Sequence, residues 1–156
     1  MSAPDVSMIN IQPDYDSLEF WEGTKQHKFL IRQCQECGFK FYPTYSACPK
    51  CASMKLGWFQ TNGKGVIFSY FVAVQPILAA FVNAVPYVVA LVELPDCANS
   101  DGSAVRVGAL MIDGEDKVAI GLPVKVVFEA PVNAEKYQMP RWQVTGSAPD
   151  AWKFPW

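Results

Sequence analysis

Hydrophobic and polar positions divide the chain into stretches of different character. Residues 1–13 are polar and interrupted by Pro4 and Pro13, the composition of a loosely ordered arm. Residues 14–30 read as helical. Asp14, Asp16, Glu19 and Glu22 crowd the leading end, where the helix dipole favours acids, and Leu18, Trp21, Phe29 and Leu30 supply apolar contacts. Gly23 is expected to break this stretch into two short helices. Residues 31–59 carry only short β-like pieces, at Leu30–Arg32, Lys40–Tyr42 and Gly57–Gln60. Past the turn Thr61-Asn62-Gly63-Lys64-Gly65, strand-length runs take over: Val66–Val74, Tyr87–Leu94, Ala104–Ile112, Val124–Ala130 and a last piece at Arg141–Val144. In the fourth run, Val124, Val126 and Phe128 share one face, opposite Lys125, Val127 and Glu129. Pro86, Pro95, Pro123 and Pro131 fall at run ends, where strands tolerate proline.

Five such strands separated by loops suit a small closed or partly open barrel of the OB type, although a small sandwich carries similar strand signals. Glu115–Gly121 lies where that barrel would place its short helix or loop. The expected architecture is mainly β: N-terminal helices within 1–30, a cysteine module at 31–60, a five-stranded OB-fold barrel at 61–146 and an aromatic tail at 147–156.

Chemistry enters with the cysteines. The spacing is Cys34-x2-Cys37, ten residues, then Cys48-x2-Cys51. Each Cys-x2-Cys turn brings two sulfurs to one side of a metal, and two such knuckles complete a tetrahedron of thiolates. Gly38 and Pro49 favour the tight turns. Tetrahedral S4 sites also hold iron in electron carriers, but closed four-cysteine sites are most often zinc. With every ligand position filled by cysteine, no position is left for a catalytic water. The ion is expected to be structural, its binding energy serving as folding energy for a segment too short for its own core. Cys97 stands apart, in Pro95-Asp96-Cys97-Ala98-Asn99, and reads as a free, unreactive thiol. His27, the only histidine, reads as a surface residue at a helix end.

Composition narrows the setting. The chain is 51% apolar and only 18% charged, which favours a surface partly covered by a partner. No apolar stretch reaches the roughly 20 residues of a membrane span, since Val66–Val92 is broken by Ser69, Gln75, Pro76, Asn83 and Pro86. The first residues lack the basic start and apolar run of a secretory signal, so a cytoplasmic, thiol-reducing setting is expected. Charge is uneven. Seven basic residues and one acid, Glu36, lie between Lys25 and Lys64, whereas 66–156 holds six basic residues against nine acids. A basic module on an acidic body points to a local anionic partner.

Taken in order, Phe20-Trp21-Glu22-Gly23, the run from Gln33 to Pro43, Cys48-Pro49-Lys50-Cys51, Trp58, Gly63–Tyr70, Pro86–Leu94 and Gly121–Glu129 resemble the zinc-ribbon/OB-fold, acyl-CoA-associated family catalogued as domain of unknown function thirty-five. The resemblance runs from about residue 15 to about residue 145. It implies two N-terminal helices, a rubredoxin-like zinc ribbon and a C-terminal OB-fold. It also implies a role as accessory to a thiolase-like enzyme, an aldolase of steroid side-chain breakdown or a hydratase, with the reaction belonging to the partner. Two features depart from the family. Tyr42-Pro43-Thr44-Tyr45 stands where many members have a second proline and an arginine, so an anion contact through that arginine is missing. The loop from Asp96 to Ser103 is also longer and more polar.

For a CoA ligand, Lys64 and Arg106 are the candidate phosphate contacts, and Phe68 and Tyr70 the candidate flat surfaces for adenine or pantetheine. The competing reading for the aromatics is core packing, and for Lys64 a solvated loop charge. A second function class is a single-stranded nucleic-acid binder, to which ribbon and OB-fold both lend themselves, but the acidic barrel weighs against it. A stand-alone enzyme lacks a visible nucleophile–base pair and a phosphate loop. The tail Trp152-Lys153-Phe154-Pro155-Trp156 is either a cover for the barrel or an aromatic anchor for another subunit, so a hetero-oligomer is expected, with self-association possible in isolation.

Overall fold

Eight strands and one α-helix carry the chain in a computed structural model that describes residues 3–131 and 137–147. The aromatic tail, from residue 148 onward, lies outside the described residues.

The N-terminal stretch forms one α-helix, α1 (Leu18–Lys25), preceded by a 3-10 turn at Val6–Met8. Gly23 does not break it. A Cβ there would stand 2.9 Å from Leu30 Cδ1, so the glycine marks a close approach of the next element. The helix ends because His27 takes a left-handed φ of 57°, with the Lys28 N–H reaching back to the Gly23 carbonyl at 3.0 Å. Phe29, expected in a helix, is strand, and so is Leu30, where the helical stretch and the β-like piece Leu30–Arg32 overlap: their backbone groups pair across to Thr61 and Gln60. Local apolar content did not distinguish the two, and pairing decided.

The first sheet holds β1 (Phe29–Cys34), β2 (Lys40–Phe41) and β3 (Leu56–Thr61), in the antiparallel order β2-β1-β3. The second holds β4 (Lys64–Ala73), β5 (Tyr87–Leu94), β6 (Val105–Leu110), β7 (Pro123–Pro131) and β8 (Gln138–Val144), in the order β6-β5-β4-β7-β8. These five strands are the five expected from the run pattern. The sheet curls until the residue after β6 meets the last strand in parallel, Met111 opposite Trp142, with the Ile112 N–H donating to the Trp142 carbonyl at 2.8 Å. This curled sheet with a parallel closure is an OB-like half-barrel, and it excludes the sandwich.

Two devices bend β4. Gly65 lies so close to β5 that a Cβ would meet Val92 Cγ1 at 2.2 Å and the Glu93 carbonyl at 2.9 Å. Between Ile67 and Ser69 the register shifts, which leaves Phe68 as an extra, outward residue. Inside the curl, Ile67, Val88, Val92, Leu94, Val107 and Trp142 are fully or almost fully buried.

The ribbon end shares that core. Phe20 of α1 meets Phe29 of β1 edge to face at 5.3 Å, and Phe29 meets Trp142 of β8 at 5.6 Å. Thr24, fully buried, accepts from the Gln138 N–H at 3.1 Å and donates to the Trp21 carbonyl. The far end of the ribbon has only Cys34, Phe41 and Cys48 as a buried cluster, edged by Phe39 and Leu56. Such a cluster is too small to order its two turns by apolar burial alone.

Candidate metal centre and ligand face

The two cysteine turns are built alike. Cys34 ends β1, and the Gly38 N–H donates to its carbonyl at 3.0 Å; the Ala52 N–H donates to the Cys48 carbonyl at 2.9 Å. Gly38 and Ala52 both take left-handed φ angles, 72° and 60°. The Cys37 N–H points at Cys34 Sγ (3.5 Å) and the Lys50 N–H at Cys48 Sγ (3.4 Å). Such N–H···S contacts orient a ligand sulfur and stabilise its thiolate.

All four sulfurs lie within 4.8 Å of one another, with Cys34–Cys51 and Cys37–Cys48 at 3.6 Å. A tetrahedron with metal–sulfur bonds of about 2.3 Å has edges of about 3.8 Å, so the sulfurs already stand at the corners of such a site. A disulfide needs about 2.05 Å, and the five cysteines are free thiols. Proton affinities diverge across the cluster. The Cys37 N–H holds Cys34 down to about 6. Cys51 is pushed up to about 12: the Ser53 N–H acts to lower it, but burial and the neighbouring thiols prevail. Four sulfurs this close shed all their protons only when a cation takes up the charge. The donor set fits a divalent metal ion held by Cys34, Cys37, Cys48 and Cys51, with Cys34 and Cys48 buried and Cys37 and Cys51 toward solvent.

The other candidate residues separate. Lys64 and Phe68 point outward from β4, whereas Tyr70, past the bulge, turns inward and is 9% exposed, so its ring belongs to the core. Arg106 is on the outer face with Phe68, its guanidinium 3.6 Å from the ring centroid and its Nε donating to Glu93 Oε2 at 2.9 Å. Lys64 stands directly opposite Lys125 in the β4–β7 ladder. Both are exposed, and neither has a carboxylate partner among the described residues. Like charges so placed repel, and an anion between them relieves the repulsion. Lys125 was not singled out from sequence because its pairing with Lys64 exists only in the sheet.

Much of the basic excess is answered within the chain: Arg32 by Asp16 (3.8 Å), Lys50 by Asp101 (3.0 Å), Lys55 by Glu36 (2.8 Å) and Lys25 by Glu22 (2.9 Å). Arg32 also lies over Trp58, 4.3 Å from the ring centroid, beside a cavity of about 730 Å3 walled in part by Asp16, Glu19 and Glu22. His27 stacks flat on Phe128 at 5.3 Å. Cys97 is fully buried.

Two four-cysteine knuckles on a small ribbon, joined through one core to an OB-like curled sheet, define a ribbon/OB-fold protein with a metal-binding centre. Residues 21–56 match the family model described as the ChsH2 rubredoxin-like zinc ribbon domain, and residues 58–129 match the ChsH2 C-terminal OB-fold domain. Over 116 residues the chain is 38% identical to a DUF35 domain-containing scaffold protein of Methanothermobacter thermautotrophicus, an alignment covering 72% of this chain and 81% of that one. A scaffold protein of the same description from Methanocaldococcus jannaschii is 33% identical over 110 residues, covering 69% and 73%. The chain belongs to the DUF35 family of zinc-ribbon/OB-fold proteins.

A probable enoyl-CoA hydratase alpha subunit of Thermomonospora curvata is 37% identical over 106 residues; that alignment covers 67% of this chain but only 31% of the subunit's own length. Among solved structures, a chain of the Ltp2-ChsH2(DUF35) aldolase superposes with a TM-score of 0.70 at 29% identity, covering 86% of this chain and 98% of that one. A DUF35-family protein of unknown function from Sulfolobus solfataricus shares the fold, with a TM-score of 0.56 at 21% identity and coverage of 84% and 86%.

Proposed function

We propose that this protein is a non-catalytic accessory subunit of an acyl-CoA enzyme, a thiolase-like enzyme, an aldolase or a hydratase, acting in a reducing, cytoplasmic compartment as part of a hetero-oligomer. The observation that carries this reading is the likeness in fold and sequence to almost the whole of a chain of the Ltp2-ChsH2(DUF35) aldolase. The names of the scaffold proteins and of the hydratase subunit support it.

The metal is zinc on this reading: a closed four-thiolate set with N–H···S contacts suits a structural zinc ribbon. The ion supplies cross-linking. The chain's own residues then hold the second turn, Cys48–Cys51, against β1 and β2. The two side chains weighed from sequence as a base and a nucleophile, His27 and Cys97, offer no paired constellation. His27 lies on an aromatic ring, and Cys97 is sealed in the core. On this reading the reaction belongs to the partner.

Where CoA reaches this subunit, Lys64 and Lys125 are its phosphate contacts and the Phe68–Arg106 stack offers a flat surface for adenine. Calorimetric titration with acetyl-CoA, of the protein alone and of its complex with the partner, tests this. Binding weakened about tenfold by Lys64→Ala is expected, equivalent to about 1.4 kcal/mol. No heat in either titration removes the ligand from the proposal. A single-stranded nucleic-acid binder would instead show a salt-sensitive gel shift.

A further inference from the structure

The outward side chains of β4, β5 and β6 form an apolar face. Across the three strands the rows read Phe71, Val89, Leu110, then Ser69, Leu91, Gly108, then Val66, Glu93, Arg106. The bulge adds Phe68 to the same side. Two charges lie in these rows, and they neutralise each other: Arg106 is bonded to Glu93 and covers Phe68. The connection 74–86, which leaves the end of β4, exposes Val74, Ile77, Leu78 and Val82, with Ile77 at 88%. Seven large apolar residues of this strand and its connection stand exposed, Val66, Phe68 and Phe71 among them.

Summed over backbone and side chain from their fractional exposures, these residues offer on the order of 700 Å2 to solvent. The figure is near the roughly 800 Å2 that each partner contributes to a standard protein–protein interface.

We propose that this face, strand β4 together with the connection 74–86, is the docking surface for the enzyme subunit; the inference rests on the accessory-subunit reading above. The occupant is a different protein with an apolar concavity, on grounds of shape and charge. Ile77, Leu78 and Val82 project from a loop and need a hollow to enter. A second copy of this chain offers a cavity of about 730 Å3 in which Asp16, Glu19, Glu22 and Arg32 stand beside Leu18, Met54, Leu56 and Trp58, so an isoleucine entering it would desolvate those charged groups with no gain of a partner. The Arg106–Glu93 pair is internally neutral, so it leaves no uncompensated charge at the edge of the interface, where the Phe68–Arg106 stack stays open to a nucleotide.

The test uses the tagged full chain as wild type, as the double variant Phe71→Asp/Ile77→Asp, and as Glu19→Gln for control. Each is used to capture proteins from extract of the native host, with identification by mass spectrometry. Metal content, melting temperature and sedimentation are measured alongside. The expected result is an acyl-CoA enzyme retained by wild type and by Glu19→Gln, and reduced at least tenfold by the double variant at unchanged metal content. Should the double variant lose metal or melt early, Ile77→Asp alone, at the most exposed position of the face, gives the same discrimination. Retention undiminished by these variants overturns the surface and leaves the accessory reading standing. No acyl-CoA enzyme on the wild type defeats that reading. A concentration-dependent dimer that the double variant dissolves makes a second copy the occupant and overturns the proposal on its own.

Discussion

Ala52 shows how a single position bears on the metal centre. It occupies in the second cysteine turn the place that Gly38 holds in the first, at φ 60° against 72°. A side chain in the left-handed region costs about 1–2 kcal/mol. Ala52→Gly is therefore expected to stabilise the metal-loaded protein by about 1 kcal/mol, part of the gain being offset by the freer unfolded chain, as read from urea denaturation. The five thiols offer a second check at this scale. Cys97 is held protonated, its thiol pushed up to about 12 by burial and by the Asp96 carboxylate. Iodoacetamide at pH 8 is expected to modify no more than four cysteines of the chelated protein, Cys34, Cys37, Cys48 and Cys51, and to reach Cys97 only in denaturant; peptide mass mapping reads the sites. Rapid native labelling of Cys97 would show that the core opens there. The four-cysteine cluster was legible because Cys-x2-Cys is a local device. The resemblance of Ala52 to Gly38 was not, because alanine gives no sign of its φ.

At the scale of elements, the loop that looked unusually long and polar acts as a staple between ribbon and barrel. Asp96 accepts from Thr61 Oγ1 (2.9 Å) and from the Asn62 N–H (2.7 Å). Asn99 Oδ1 accepts from the Lys40 N–H at 2.8 Å, and its Nδ2 donates to the Lys40 carbonyl at 2.9 Å, continuing β2 much as a strand would. Asp101 binds Lys50, between the last two cysteines. Asn99→Ala removes both bonds to Lys40 and is expected to lower stability by about 1–3 kcal/mol, with faster amide exchange at Lys40 than at Val107. Equal protection at Lys40 in both proteins would show that the staple does not hold the ribbon. Strand positions were readable from alternation and from the prolines that bound them. The boundary between helix and strand near residues 26–30 was not, since Phe29 becomes strand by pairing with β3.

Over the whole molecule, one buried arginine closes the curl. Arg141, 5% exposed, donates from Nη1 to Glu129 Oε1 at 2.8 Å and from Nη2 to the Met111 carbonyl at 2.6 Å, tying β8 to β7 and to the end of β6. Arg141→Ala leaves the Glu129 carboxylate and the Met111 carbonyl without that partner and is expected to cost about 3–5 kcal/mol. Thermal and urea unfolding measure it, and a loss below 1 kcal/mol would mean the closure is held by Trp142 and its apolar neighbours alone.

Sequence by itself determined the mainly β character, the five barrel strands and the four cysteines that cluster. Each of these is written in a short-range pattern: alternation, turn residues, or two cysteines three positions apart. Tertiary structure decided what depends on residues distant in the chain. It turned Tyr70 into the core because a bulge at Phe68 shifts the inward register. It set Lys64 against Lys125, answered much of the basic ribbon with acids such as Asp16 and Asp101, and put Phe71, Val89 and Leu110 in one row on the outer side of the sheet. Pairing, curvature and charge neutralisation are sums over neighbours that only the folded chain provides.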